Sequence, residues 1–69
     1  MKYYNNILKE LRKEKNMLQK DVANALGTSQ QIYSRYELGF RILSVEQLIV
    51  LCKLYDVSAD YILGLKDEK

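Results

Sequence analysis

The 69-residue chain has no histidine, no proline and no tryptophan, a single cysteine and three glycines. Each scarcity excludes something. With no histidine and with Cys52 alone, neither a His/Cys zinc site nor a Ser/His or Cys/His catalytic pair can be assembled. One cysteine cannot close an intramolecular disulfide. No proline interrupts the backbone, so the sequence between Gly27, Gly39 and Gly64 should be mostly helical. The longest unbroken apolar run is five residues, Leu48 to Cys52, far short of the ~20 needed to span a membrane. Met1-Lys2 is followed by tyrosines and asparagines rather than an apolar stretch, so no signal peptide is expected. What is present is 48% apolar residues, too many for a disordered tail. The expectation is one small globular domain over residues 1–69, cytosolic and free of cofactor and metal. Such a small core should rely on close helix packing or on dimerisation.

The charge is uneven along the chain. Residues 1–43 hold eight basic and four acidic residues, and residues 44–69 hold three basic and five acidic ones. An anionic partner would therefore meet the N-terminal portion. Glu10, Glu14 and Glu46 fall on separate helix faces, so no paired-carboxylate acid–base site is expected, and nothing else in the sequence suggests an enzyme.

Five helices are predicted. The first runs from about Asn6 to Lys15, capped by Asn5, with Tyr4, Leu8 and Leu11 on one inner stripe. A second, Gln19 to Leu26, turns Val22, Ala23 and Leu26 inward and stops at Gly27. The third is capped by Ser29 and covers Gln30 to Leu38, with Tyr33 and Tyr36 inside and Gly39 at its end. Ser44-Val45-Glu46-Gln47 has the form of a capping box and opens a fourth helix to about Tyr55. Val45, Leu48, Leu51, Cys52 and Tyr55 are expected on its buried face. Ser58-Ala59-Asp60 opens a last short helix through Leu63, Gly64 ends it, and Lys66 to Lys69 should fray.

The second and third helices, joined through one glycine, form a helix-turn-helix. Ala23 is small where the two helices cross. Gln30, Gln31, Ser34 and Arg35 share the outer face of the third helix, free to enter a major groove. Glutamine can pair bidentately with adenine and arginine with guanine, each worth ~1–3 kcal/mol of discrimination.

Taken together, Leu8-Lys9-Glu10-Leu11-Arg12, Gln19-Lys20-Asp21-Val22-Ala23, Leu26-Gly27, Tyr33-Ser34-Arg35-Tyr36-Glu37, Gly39 and Val57-Ser58-Ala59-Asp60 resemble the Cro/C1-type helix-turn-helix family of phage repressors and bacterial regulators. The resemblance covers residues 4–63. It implies an all-α, five-helix bundle of the lambda-repressor-like type that binds double-stranded operator DNA, usually as a homodimer. It also implies a bacterial or phage-encoded, cytoplasmic, nucleoid-associated protein. By position, Ser29, Gln30, Gln31, Ser34 and Arg35 match the family's base-facing residues. Gln19 matches a phosphate contact, Arg41 lies where backbone contacts are made, and Lys20 is near enough to add one. Arg12 and Glu37 match a structural salt bridge. The sequence departs from the family in having Leu18 for the usual Ser/Thr cap, Leu38 for an asparagine and Phe40 for a basic residue. Tyrosines replace aliphatics at 33 and 36, and their hydroxyls need solvent or a partner.

The fourth helix carries more apolar residues than one face can bury. Ile49, Val50 and Leu54, with Tyr61 and Leu65, are the candidate dimer interface. A dimer would place two third helices about one DNA turn, ~34 Å, apart. These expectations amount to a dimeric, sequence-specific transcriptional repressor. A second reading keeps the fold but uses the apolar 38–43 loop and fourth helix to dock a protein partner, as in an antitoxin-like or scaffold subunit.

Overall fold

The computed structural model describes residues 4–69 and contains, in order, α1 (Tyr4–Glu14), α2 (Gln19–Leu26), α3 (Gln30–Leu38), α4 (Val45–Tyr55) and α5 (Ala59–Ile62), with no strand among the described residues. The helices enclose one core. Leu8, Val22, Tyr33, Leu51 and Ile62 are its most deeply buried large side chains, one from each helix. Burying such a side chain stabilises by about 1.5–3 kcal/mol. Truncating Leu51 to alanine would cost about 2–5 kcal/mol, a large share of what a domain this small has.

Local chemistry sets the helix ends. Ser29, Ser44 and Ser58 each accept a hydrogen bond from the amide three residues on, Ile32, Gln47 and Tyr61. Gln47 Oε1 accepts in return from the Ser44 amide at 2.9 Å, completing the capping box. At the other end of α2 and α3, Gly27 and Gly39 adopt left-handed conformations, with φ of 71° and 85°. There glycine avoids the Cβ penalty.

Two expectations are corrected. Asn5 does not cap α1, which already includes Tyr4 and Asn5. Its Nδ2 instead donates to the Glu37 carbonyl at 3.2 Å. That carbonyl lies in the last turn of α3, where no intrahelical donor remains, so Asn5 ties α1 to the end of α3. Val45 is 73% exposed rather than buried, because as the first residue of α4 it projects beyond the core that Leu51 and Tyr55 reach. Beyond α5, Lys66 to Lys69 are exposed and in no helix, and the last of them touches the body of the domain. Lys69 donates from Nζ to Glu14 Oε2 at 2.7 Å and accepts at its carbonyl from the Ser58 amide at 2.8 Å.

The end of α1 is held by Asn16, at φ 56°. Its amide donates to the Lys13 carbonyl, and the Met17 amide donates to the Arg12 carbonyl, both at 3.0 Å. This is a Schellman closure built on asparagine, which tolerates the left-handed region better than other side chains. It fixes the short path from α1 into α2.

Candidate nucleic-acid interface

The helix-turn-helix is α2, the Gly27 turn and α3. Ala23 is 1% exposed at the crossing and Val22 is fully buried, so the two helices approach closely. Tyr33 and Tyr36 anchor α3 from inside, with ring centroids 6.2 Å apart and planes tilted by 54°. Burial of one face of α3 leaves the other outside. Gln30, Gln31 and Arg35 are exposed and Ser34 is half-buried on that outer face.

These four side chains line one open groove of about 640 Å³ together with Gln19 from the start of α2. The structure thus brings together five of the residues that the sequence singled out. Leu38 and Phe40 form the rest of the lining. In the sequence they stand as departures from a family pattern and as part of the apolar 38–43 loop. The signal available was the exposure of large apolar side chains beside a polar helix face. Ser29, Lys20 and Arg41 lie outside the groove's lining. Ser29 is exposed and uses its hydroxyl as the α3 cap, and Lys20 is exposed on α2. The Arg41 guanidinium stands 5.8 Å from the Tyr36 ring centroid, within cation–π range. Its carbonyl accepts from the Tyr4 hydroxyl at 2.7 Å.

Arg35 is the one charged residue in the groove lining. No ion pair among the described residues engages it, so all its donors are available to an acceptor in the groove. A lone guanidinium flanked by neutral amides and a hydroxyl suits a surface that offers acceptors and donors side by side, as base edges do.

Beneath the groove lies a charge network. Arg12 Nε donates to Glu37 Oε2 at 2.7 Å and Nη2 donates to Oε1 at 3.1 Å, a side-on pair. Arg12 Nη1 also donates to the Met17 carbonyl, and Gln19 Nε2 donates to Glu37 Oε1 at 3.2 Å. The network joins α1, the turn after it, α2 and α3. Burial by itself would push the Glu37 carboxyl up. Hydrogen bonding from Arg12 and Gln19 outweighs it and holds the carboxyl below the ordinary range. The Tyr36 hydroxyl finds a partner in the Gln47 side chain at 3.1–3.3 Å. The hydroxyls of Tyr33 and Tyr55 are buried and make no well-formed hydrogen bond. Burial, and then the Glu37 charge, raise both phenols, Tyr55 to about 12.

A helix-turn-helix whose second helix presents a polar outer face is the defining element of one class of regulatory protein. The helix-turn-helix family model matches residues 8–62, and the chain belongs to this family, of the Cro/C1 type. Two relatives from Bacillus subtilis (strain 168) are similar across most of the chain. One is the uncharacterized HTH-type transcriptional regulator YobD, 38% identical over 61 residues, which are 88% of this chain and 54% of that protein. Another is the HTH-type transcriptional regulator AnsR, 40% identical over 62 residues, 90% of this chain and 53% of that one. The chain therefore spans about half the length of the curated relatives it matches. These relatives are transcription regulators rather than enzymes. Among solved structures, the P22 c2 repressor in complex with synthetic operator 9T superposes with a TM-score of 0.86 at 23% identity, covering 96% of this chain and all of that one. That likeness establishes the lambda-repressor-like five-helix fold.

Proposed function

We propose that the chain is a sequence-specific DNA-binding transcriptional repressor that places α3 in the major groove and acts as a homodimer on a palindromic operator. The convergence of Gln19, Gln30, Gln31, Ser34 and Arg35 on one open groove carries this reading. In it, Gln30 and Gln31 read adenine edges and Arg35 a guanine. Ser29 and Ser34 add short hydroxyl contacts. Lys20 and Arg41, both exposed, contact phosphates. Gln19 uses one amide hydrogen on Glu37 and keeps the other for a phosphate. Lys9, Lys13 and Lys15 are exposed and add diffuse attraction. Similarity to HTH-type transcriptional regulators and to the P22 repressor bound to its operator supports the same reading. With no helix among the described residues long and apolar enough to cross a membrane, a place beside the nucleoid in the cytoplasm fits it.

The dimer contact in this reading uses Ile49, Val50 and Leu65, which are exposed, with Leu54 and Tyr61, which are half-buried. The experiment that tests the whole is a random-library DNA selection with the purified protein at two salt concentrations. An enriched palindrome with half-sites about one turn apart supports it. Weak, sequence-blind retention that vanishes with salt overturns it in favour of a protein-docking module.

A further inference from the structure

A contact between Tyr36 and Arg41 ties α3 to the segment that follows it. Tyr36 is 3% exposed, and its ring is held at both ends. Its α3 backbone carries it into the core beside Tyr33, and its hydroxyl meets the Gln47 side-chain amide at 3.1–3.3 Å. Gln47 Oε1 is itself fixed by the Ser44 amide in the cap of α4. Over this ring stands the Arg41 guanidinium, 5.8 Å from the centroid. The Arg41 backbone is tied separately, through the Tyr4 hydroxyl that donates to its carbonyl at 2.7 Å. Arg41 is exposed, and no ion pair among the described residues engages it.

We propose that Tyr36 is a positioning residue for a phosphate contact: its buried ring holds the Arg41 guanidinium in order for the DNA backbone. The inference rests on the DNA-binding reading above and deepens it, since that reading gives Arg41 a phosphate but nothing that orders its side chain. An arginine free in solvent loses rotamer freedom when it binds. A carboxylate partner would order it too, but would neutralise its charge and occupy N–H groups that a phosphate needs. The face of a tyrosine does neither. It attracts the cation through the ring quadrupole and leaves the in-plane N–H donors free. An aliphatic side chain at position 36 would fill the core equally but offer no such face. The tyrosine there thus has a role that packing alone does not supply.

The test begins with the wild-type chain. In its NMR spectrum the ring should shift the Arg41 δ protons upfield, both in the free protein and with the selected operator bound. Unshifted protons, or a shift that disappears on binding, overturn the proposal. Affinity for the operator and for a non-specific duplex is then measured for Tyr36→Leu, Tyr36→Phe, Arg41→Ala and the double variant Tyr36→Leu/Arg41→Ala. Arg41→Ala should lower the slope of log affinity against log salt by about 0.9 per bound subunit. Tyr36→Leu should weaken both duplexes alike, by about two- to fivefold per bound subunit, the worth of one exposed cation–π contact. Tyr36→Phe keeps the face of the ring and should bind like the wild type. In the Arg41→Ala background, Tyr36→Leu should add no loss. A purely structural Tyr36 would give the same loss in both backgrounds, a loss for the operator alone, or a loss in Tyr36→Phe equal to that in Tyr36→Leu. Each of these overturns the positioning role and leaves the DNA-binding reading standing. Circular dichroism at the assay temperature shows whether Tyr36→Leu is folded; if it is not, the ring shifts in the wild-type complex decide. A wild-type chain that shows the upfield shift but binds neither duplex overturns the DNA-binding reading itself, and the positioning role with it.

Discussion

Arg12 and Glu37, 25 residues apart, meet side-on with two hydrogen bonds of 2.7 and 3.1 Å, and only 12% and 3% of their side chains are exposed. The pair fixes the end of α1 against the last turn of α3. It also receives Gln19 from α2, so the angle at which α3 presents its outer face depends on it. Removing one member leaves a buried charge uncompensated. Arg12→Ala and Glu37→Ala should each lower unfolding stability by about 3 kcal/mol in urea titrations. The double variant should lose much less than the sum, because the two residues act as one unit. Additive losses would show that the pair is not coupled.

The same network predicts the acid limb of stability. Glu37 titrates below its ordinary value in the folded chain, so the unfolded state takes up this proton first as pH falls. Its contribution is whole above the unfolded value of about 4.3 and is lost as pH falls through the depressed folded value. Melting temperatures followed from pH 6 downward should therefore drop more for the wild type than for Glu37→Gln, which has no such proton to bind.

On the alkaline side the sign is reversed. Tyr55 is raised to about 12 and Tyr33 is raised too, by burial and then by the Glu37 charge. An unfolded tyrosine ionises near 10. Stability is whole below that pH and is lost as pH rises towards the folded values, since the unfolded state then releases protons that the folded state retains. Absorbance at 295 nm should show phenolate appearing in two steps, the second coincident with loss of helical circular dichroism. Tyr55→Phe should lessen the alkaline loss.

Much of this was legible because it is local. The serine caps, the Ser44–Gln47 box and the terminal glycines are decided within four residues: α3 and α4 begin at their serines, and α2 and α3 end at their glycines. The groove was legible for the same reason: if Tyr33 and Tyr36 point in, Gln30, Gln31, Ser34 and Arg35 point out. Asn5 was misread because its partner, the Glu37 carbonyl, is 32 residues away. Val45 was misread because a helical stripe gives a direction, not whether a neighbour stands at that end. Ile7 is 3% exposed; three residues after Tyr4 and four before Leu11, it lies on the same inner face as Leu8 and Leu11.

Leu18 stands at the N-cap of α2 without a side-chain acceptor, and the helix start is held instead from the other direction. Asp21 Oδ2 accepts from the Leu18 amide at 2.9 Å, and its charge lies near the positive end of the helix. Two substitutions should move stability oppositely. Leu18→Ser supplies the missing acceptor for a first-turn amide and should raise stability by about 0.5–1 kcal/mol, since Leu18 is 58% exposed and gives up little burial. Asp21→Ala removes the remaining cap and should lower it by a similar amount. Paired chemical denaturation curves decide this, and a loss in Leu18→Ser would mean that its packing outweighs the cap.

The dimer proposal separates the apolar residues outside the core into two groups, and the separation can be tested. Ile49 and Leu65 are 49% and 68% exposed, whereas Leu54 and Tyr61 pack in part against the chain's own core. A lysine at either of the first two should therefore leave the monomer folded, yet bury a charge if the surface pairs with a second copy. In sedimentation equilibrium the wild type should show a concentration-dependent monomer–dimer distribution, and Ile49→Lys and Leu65→Lys should shift it at least tenfold towards monomer with unchanged helical content. A lysine variant that still dimerises like the wild type would place the contact elsewhere. If the wild type itself stays monomeric at every concentration, the exposed α4 surface is not a self-association site and a palindromic operator is not expected.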